Sequence, residues 1–293
     1  MRSLRRALFV LVVLAAVLYV GAIVWLVANE TRLVFVADQP LGQLRPSAPF
    51  EEIAVPGPSG LRQLIWVMRS PSEPATRPWL FFLHGNASTV ASRLNILHYE
   101  RLRRLGFNVV APEYRGYGGM EGVPTEAGVE SDARAAFETF RERFHLDPRR
   151  VVIYGWSLGS AVAVDLAGHV QPAAVILEGA PASIVAIGQQ RYPIFPVRLI
   201  MRNPFESILK IQRVTSPKLF LHSHDDEIVP IEEGRRLFDA APPPKKWVEL
   251  TAGGHVHAVE QDRAFFAHVE SFLVEYRVLG EEQSEPLTVN GKQ

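Results

Sequence analysis

The segment Val151-Val152-Ile153-Tyr154-Gly155-Trp156-Ser157-Leu158-Gly159 constrains the fold of this chain more than any other. Its opening apolar residues read as a buried strand, and the small residues Ser160-Ala161-Val162-Ala163 beyond it read as the start of a helix. The chain must pass from strand to helix within Gly155–Gly159. A turn this tight requires small flanking residues, and glycine stands on both sides. Such a turn holds the Ser157 hydroxyl out at the carboxyl end of a sheet, where a nucleophile can act. A purely structural Gly-Ser turn is the alternative, and the strand before and the helix after weigh against it.

Other short apolar runs recur along the chain. They are Leu61–Met68, Trp79–Leu83, Phe107–Ala111, Ala174–Leu177, Lys218–Leu221 and Trp247–Leu250. Bounded by Gly, Pro or charges, they read as buried strands of a mostly parallel sheet. Between them Leu94, Leu97, Leu102 and Leu105 recur at helical spacing until Gly106. Val129, Ala133, Ala136, Phe137, Phe140 and Phe144 do the same, as do Phe265, Val269, Phe272 and Tyr276. This alternation predicts an α/β fold, a twisted sheet of about eight strands with helices on both faces. The turn Pro56-Gly57-Pro58-Ser59-Gly60 predicts an antiparallel hairpin near Ile53 at the sheet edge. Residues 182–216 lack a clear strand and fit either a lid or a crossover helix with long loops. The polar tail, 280–293, is expected to be disordered.

The N-terminal segment departs from globular composition. Ala7–Ala28 is a run of 22 residues without a charge, and about 20 apolar residues span a bilayer as a helix. Arg2, Arg5 and Arg6 precede it, which predicts a cytoplasmic N-terminus and a domain on the non-cytoplasmic side. Val20-Gly21-Ala22 offers a signal-peptide cleavage site as the alternative. The apolar run continues through Ile23–Val27, which favours an uncleaved anchor over residues 1–28. Residues 29–50, with Pro40, Pro46 and Pro49, read as a linker to a domain over 51–279. Charge is balanced at 31 basic and 31 acidic residues, which argues against a nucleic-acid partner. The absence of cysteine excludes disulfides, a thiolate metal site and a Cys nucleophile.

A nucleophilic serine needs a base, and the base needs an orienting acid. Downstream, the strand Lys218–Leu221 runs into His222-Ser223-His224-Asp225-Asp226-Glu227, and Trp247–Leu250 runs into Thr251-Ala252-Gly253-Gly254-His255-Val256-His257. Both segments follow strands and so share a sheet edge with Ser157. His255 is favoured over His257 because two glycines before it suit a loop that bends into the site. One of Asp225, Asp226 and Glu227 is expected to face that His, the others capping the next helix or facing solvent. His222 and His224 read as packed or hydrogen-bonded residues. The strand Trp79–Leu83 ends in His84-Gly85-Asn86, which predicts an oxyanion hole from the backbone N–H groups of Asn86 and Leu158, with His84 structural. Glu113-Tyr114-Arg115-Gly116-Tyr117-Gly118-Gly119 reads as a turn shaping the rim.

With these pieces the chain resembles the α/β-hydrolase superfamily, most closely the small single-pass membrane-anchored serine hydrolases related to the depalmitoylating enzymes. The matching residues are His84-Gly85-Asn86, Tyr114-Arg115-Gly116-Tyr117-Gly118, Gly122-Val123-Pro124-Thr125-Glu126, Gly155-Trp156-Ser157-Leu158-Gly159, Asp226-Glu227-Ile228-Val229-Pro230 and Gly254-His255. The resemblance implies Asp226 as the acid, His255 as the base, and hydrolysis of an ester, thioester or amide through an acyl-enzyme. No cofactor or metal is expected. The implied partners are the membrane and a small acyl or lipid-like substrate. Glu113, Met120, Ser160 and Val256-His257 depart from the pattern, and Met120 and His257 bear on the substrate pocket. Two rivals remain. A metal hydrolase would use His222, His224 and Asp226, but leaves the Gly155–Gly159 turn unexplained. A binding protein without activity would be expected to lack one of the catalytic groups.

Overall fold

The computed structural model describes residues 2–71 and 77–279, so the 280–293 tail lies outside the described residues. A long helix α1 (Arg2–Val34) leads into strands β1 (Phe50–Pro56) and β2 (Arg62–Met68). There follow β3 (Trp79–Leu83), α2 (Arg93–Arg104), β4 (Asn108–Pro112), α3 (Glu126–Arg143), β5 (Val151–Trp156), α4 (Leu158–Val170) and β6 (Ala174–Glu178). Three short helices come next: α5 (Ile184–Arg191), α6 (Val197–Ile200) and α7 (Ser207–Lys210). The chain continues through β7 (Lys218–Ser223), α8 (Ile231–Ala240), β8 (Lys245–Leu250), α9 (Ala258–Gln261) and α10 (Phe265–Glu275).

All eight strands form one sheet in the order β1-β2-β4-β3-β5-β6-β7-β8. β1 and β2 are antiparallel, as the Pro56–Gly60 turn implies, and β2 also runs antiparallel to β4. From β4 to β8 every pairing is parallel. The apolar runs are continuous because the inner strands are covered on both faces. Along β3, Phe81 and Leu83 join the core under α3 and α4, while Leu80 and Phe82 join the core under α2 and α10. β8 starts at Lys245, two residues before the apolar run, because it lies at the sheet edge and is only half-buried. Residues 182–216 fold as α5, α6 and α7 with no strand.

The N-terminal helix runs past the expected boundary at Ala28 to Val34. Its last turns are fastened to the domain. The buried Glu30 carboxylate accepts hydrogen bonds from the backbone N–H groups of Arg202 (2.7 Å) and Asn203 (2.8 Å) and pairs with the Arg202 guanidinium at 2.7 Å. Val34 and Phe35 enter the core, Phe35 meeting Phe205 edge-on. The expected linker is also held down: the Arg103 guanidinium donates to the carbonyls of Ser47 and Ala48. By contrast Leu8, Phe9, Leu11 and Leu18 are exposed around the helix. This helix is long and apolar enough to cross a bilayer, and it is a candidate membrane anchor.

A buried charge cluster ties α3 to α7. Lys210 Nζ donates to Glu126 (2.9 Å) and to Glu130, and Asp165 of α4 pairs with Arg134. Burial pushes Glu130 up to about 7, with the charges of Asp165 and Glu126 adding and the Lys210 hydrogen bond opposing. A carboxyl raised this way contributes stability that is complete below its unfolded pKa, near 4.3, and is lost as pH rises through about 7. Glu130→Gln should therefore show a smaller fall in melting temperature between pH 5 and pH 8 than the wild type, measured on the full-length protein in detergent.

Candidate active site

Ser157 joins β5 to α4 with φ 55° and ψ −119°, a conformation a non-glycine residue adopts only when its surroundings impose it. Those surroundings are explicit. The Ser157 N–H donates to Glu178 O at 2.8 Å, and the Ser160 N–H donates to Ser157 O at 2.9 Å. The Ser160 hydroxyl donates to Gly155 O (2.7 Å) and Glu178 O (3.0 Å), which accounts for a serine at that position. A methyl group on Gly155 would stand 2.4 Å from Gly159 O, and one on Gly159 would stand 2.1 Å from Leu83 O. Both glycines are there for backbone contact.

The structure brings Ser157, His255 and Asp226 together. Ser157 Oγ lies 2.7 Å from His255 Nε2, and His255 Nδ1 lies 2.7 Å from Asp226 Oδ2. Asp226 Oδ1 accepts the N–H groups of Ile228 (3.0 Å) and Val229 (2.7 Å). Burial alone would raise the Asp226 carboxyl. Hydrogen bonds from His222 and His255, the His255 charge and the Val229 N–H outweigh it and hold the group well below the usual carboxylate range. Asp226 is thus an anion at any pH near neutrality.

Of the two roles expected for the neighbouring acids, capping the next helix or facing solvent, Asp225 and Glu227 take the second, being exposed, and each also bonds to a neighbouring loop. Asp225 Oδ1 accepts from Gly254 N (3.1 Å), and Glu227 Oε2 accepts from His255 N (3.2 Å). Both therefore fasten the loop that carries His255. Gly254, with φ 54°, makes that approach possible, because a methyl group there would meet Glu227 Oε2 at 2.5 Å. His257 is exposed beside Glu260 and stays out of the site. His222 is buried, donating to Val229 O and stacked on Trp247. The chain turns after Ser223, so His224 faces solvent against Glu249. The string His222-x-His224-x-Asp226 is not assembled into a ligand set. Among the described residues no group of three or more acidic or His side chains could hold a metal ion.

Leu158 opens α4, so its N–H has no acceptor within the helix. The Asn86 N–H makes no hydrogen bond among the described residues, and both residues line the cavity at Ser157. The Asn86 side chain is held at both ends: Oδ1 accepts from Val36 N and from the Tyr117 hydroxyl at 2.7 Å, and Nδ2 donates to Val34 O at 2.7 Å. Burial, reinforced by Glu113, pushes the Tyr117 phenol well up, so it remains a donor. Behind this loop His84 and Glu113 are completely buried and 2.8 Å apart, the structural part expected for His84.

Sequence reasoning missed a second buried network. Glu178, one residue beyond its apolar run, accepts from His98 Nε2 (3.0 Å) and the Tyr154 hydroxyl (2.6 Å) while its carbonyl holds Ser157. A carboxylate ending an otherwise apolar strand was the available signal. Gly179 was missed as well; with φ 54°, a methyl group there would stand 3.1 Å from His255 Cε1.

Ser157, Asn86 and Leu158 open into a cavity of about 530 Å³, within the roughly 300–1,000 Å³ usual for ligand sites. Its walls are largely apolar, supplied by α1, by the 182–216 segment and by Ile228 and Val229. Neither Met120 nor His257 lines it.

This fold, with a serine on a strained strand-to-helix turn, defines a hydrolase of the α/β class, and the chain belongs to the alpha/beta hydrolase family, whose model matches residues 80–210. The chain is 33% identical over 279 residues to the Mycobacterium tuberculosis protein Rv2307c, covering 94% of this chain and 98% of that one. It is 31% identical over 204 residues to alpha/beta hydrolase domain-containing protein 17B of Xenopus laevis, covering 69% and 68% of the two chains. Among solved structures it is similar to the Pyrococcus furiosus esterase Pf2001, with a TM-score of 0.67 at 16% identity over 83% of this chain and 98% of the esterase. It is also similar to Est1E of Butyrivibrio proteoclasticus, with a TM-score of 0.66 at 16% identity over 78% and 100% of the chains. At these identities the structures speak for the fold.

The contact at Gly159 gives a direct test. Gly159→Ala forces a methyl group onto backbone and should cost about 3 kcal/mol, seen as a large drop in melting temperature. Gly168→Ala in the same helix meets only Arg213 Cβ at 3.4 Å and should leave the melting temperature unchanged or raised.

Proposed function

We propose that this chain is a membrane-anchored serine hydrolase that cleaves an ester, thioester or amide by two-step acyl transfer. The observation that carries this reading is the pair of 2.7 Å contacts linking Ser157, His255 and Asp226 at the base of a largely apolar cavity. As Ser157 Oγ attacks the carbonyl carbon, His255 Nε2 takes its proton. The imidazolium that forms donates from Nδ1 to the Asp226 carboxylate, which fixes the ring tautomer and stabilises the charge. The N–H groups of Leu158 and Asn86 receive the oxyanion, and such a donor is worth about 3 kcal/mol in the transition state. Collapse of the tetrahedral intermediate breaks the bond to the leaving group, which takes the proton from His255. Water, deprotonated by the same imidazole, then attacks the acyl-enzyme; the acyl–Oγ bond breaks, His255 returns the proton to Ser157 Oγ, and the acid leaves.

Arg2, Arg5 and Arg6 support an orientation with the N-terminus in the cytoplasm and the domain across the membrane. Ser157→Ala should lower turnover by roughly three decades or more and abolish labelling by a fluorophosphonate probe. The assay is a panel of acyl esters, thioesters and amides on both proteins. Near-normal turnover by the variant, or no labelling of folded wild type, would overturn the assignment.

A further inference from the structure

One wall of the cavity at Ser157 belongs to the anchor helix itself. Leu26 and Val27 of α1 line it, opposite Ile184 and Ile187 of α5 and Ile200 of α6. The segment between α5 and α6 then follows α1 away from the domain. The Phe195 ring stacks on Tyr19 with centroids 5.4 Å apart, and the Tyr19 hydroxyl donates to Ile194 O at 2.7 Å. Tyr19 lies about 12 Å before Val27 along the helix axis. The segment therefore reaches inside the uncharged Ala7–Ala28 run, at a depth that corresponds to hydrocarbon if this run spans the bilayer.

Its own chemistry suits that position. Ile194 is 71% exposed and Leu199 is 86% exposed, which is unfavourable in water and favourable in lipid. Polypeptide enters hydrocarbon only when its backbone polar groups are satisfied. Pro193 and Pro196 have no N–H, the Tyr192 N–H bonds to Gly188 O of α5, and those of Phe195, Val197 and Leu199 bond to Tyr192 O, Phe195 O and Pro196 O, which leaves the Ile194 N–H as the one without an acceptor among the described residues of this tip. Arg191 precedes the tip and Arg198 lies within it, and long cationic side chains of this kind extend to headgroups.

We propose that residues 192–199 dip into the leaflet nearest the domain, and that the cavity receives the acyl chain of a membrane-resident lipid sideways, between α1 and this tip. The proposal rests on Ser157 being the nucleophile and adds the substrate class: a long-chain acyl ester or thioester whose chain starts in the bilayer. Leu26, Val27, Ile187 and Ile200 contact that chain, so the anchor helix is part of the binding site.

Two measurements on the full-length protein in phosphatidylcholine vesicles test it. The first needs no activity. The chain has no cysteine, so Ile194→Cys and Ser271→Cys each accept a single fluorophore. Lipids brominated on their acyl chains should quench the label at Ile194→Cys and not the label at Ser271→Cys on α10. No quenching at Ile194→Cys overturns the proposal. The second compares a long-chain acyl thioester embedded in the vesicles with water-soluble p-nitrophenyl acetate. The double variant Ile194→Asp, Leu199→Asp alters side chains outside the cavity. It should lose tenfold or more on the embedded substrate and stay within twofold on the soluble ester. An equal effect on both overturns the lateral route. Failure of the wild type to react with the embedded substrate overturns the long-chain substrate class and the lateral route, and absence of fluorophosphonate labelling overturns the nucleophile reading beneath them.

Discussion

Backbone meets backbone where Leu83 O faces the Cα of Gly159, and the geometry of the site depends on that contact. It lets α4 start directly at the carboxyl end of the central strand β5, with Ser157 in its positive-φ conformation between them. The same contact sets the end of β3 against the start of α4, so the N–H groups of Asn86 and Leu158 come from two elements with a fixed separation. Side-chain packing tolerates adjustment of a few tenths of an ångström, whereas two main chains in contact do not. The strain at Ser157 is held by hydrogen bonds from both sides, its N–H donating to Glu178 O and its carbonyl accepting from the Ser160 N–H.

His255 and Asp226 are positioned differently, by charge. Asp225, Asp226 and Glu227 are consecutive, yet each has its own partner around the Gly254–His255 loop. Three carboxylates this close repel one another. The loop offers them two backbone N–H groups and an imidazole, while Ile228 and Val229 add two further N–H groups to Asp226. The arrangement clamps His255 from its backbone as well as from its ring.

Much of this was legible in the sequence, because it depends on local pattern. The Gly155–Gly159 turn, the short apolar strands, the long uncharged run, the Asp225–Glu227 acids and the Gly253-Gly254-His255 loop are each features of contiguous residues, while the choice of Asp226 among the three acids came from the family resemblance. What was not legible depends on partners far apart in the chain. Glu30 was assigned to a linker, since nothing near it in sequence announces Arg202 and Asn203, its partners across the fold. Glu178 was passed over for the same reason, its meaning coming from His98 and Tyr154 on other elements. Residues 182–216 fitted two descriptions because the choice turns on where they pack, and they pack against α1, which periodicity cannot express.

The Glu30 fastening has a mechanical consequence. A domain joined to a membrane helix through a loose segment samples a hemisphere of orientations and works at a range of heights. Here the helix is continuous from Arg2 to Val34 and is bolted at its end by the Glu30 carboxylate and the Asn86 amide. With α1 across a bilayer, as proposed, domain and helix would tilt as one lever, and a change in bilayer thickness that tilts the helix would also rotate Ser157 relative to the membrane plane. A chain held in that way would have no reach, and what it acts on would have to come to a fixed point in space.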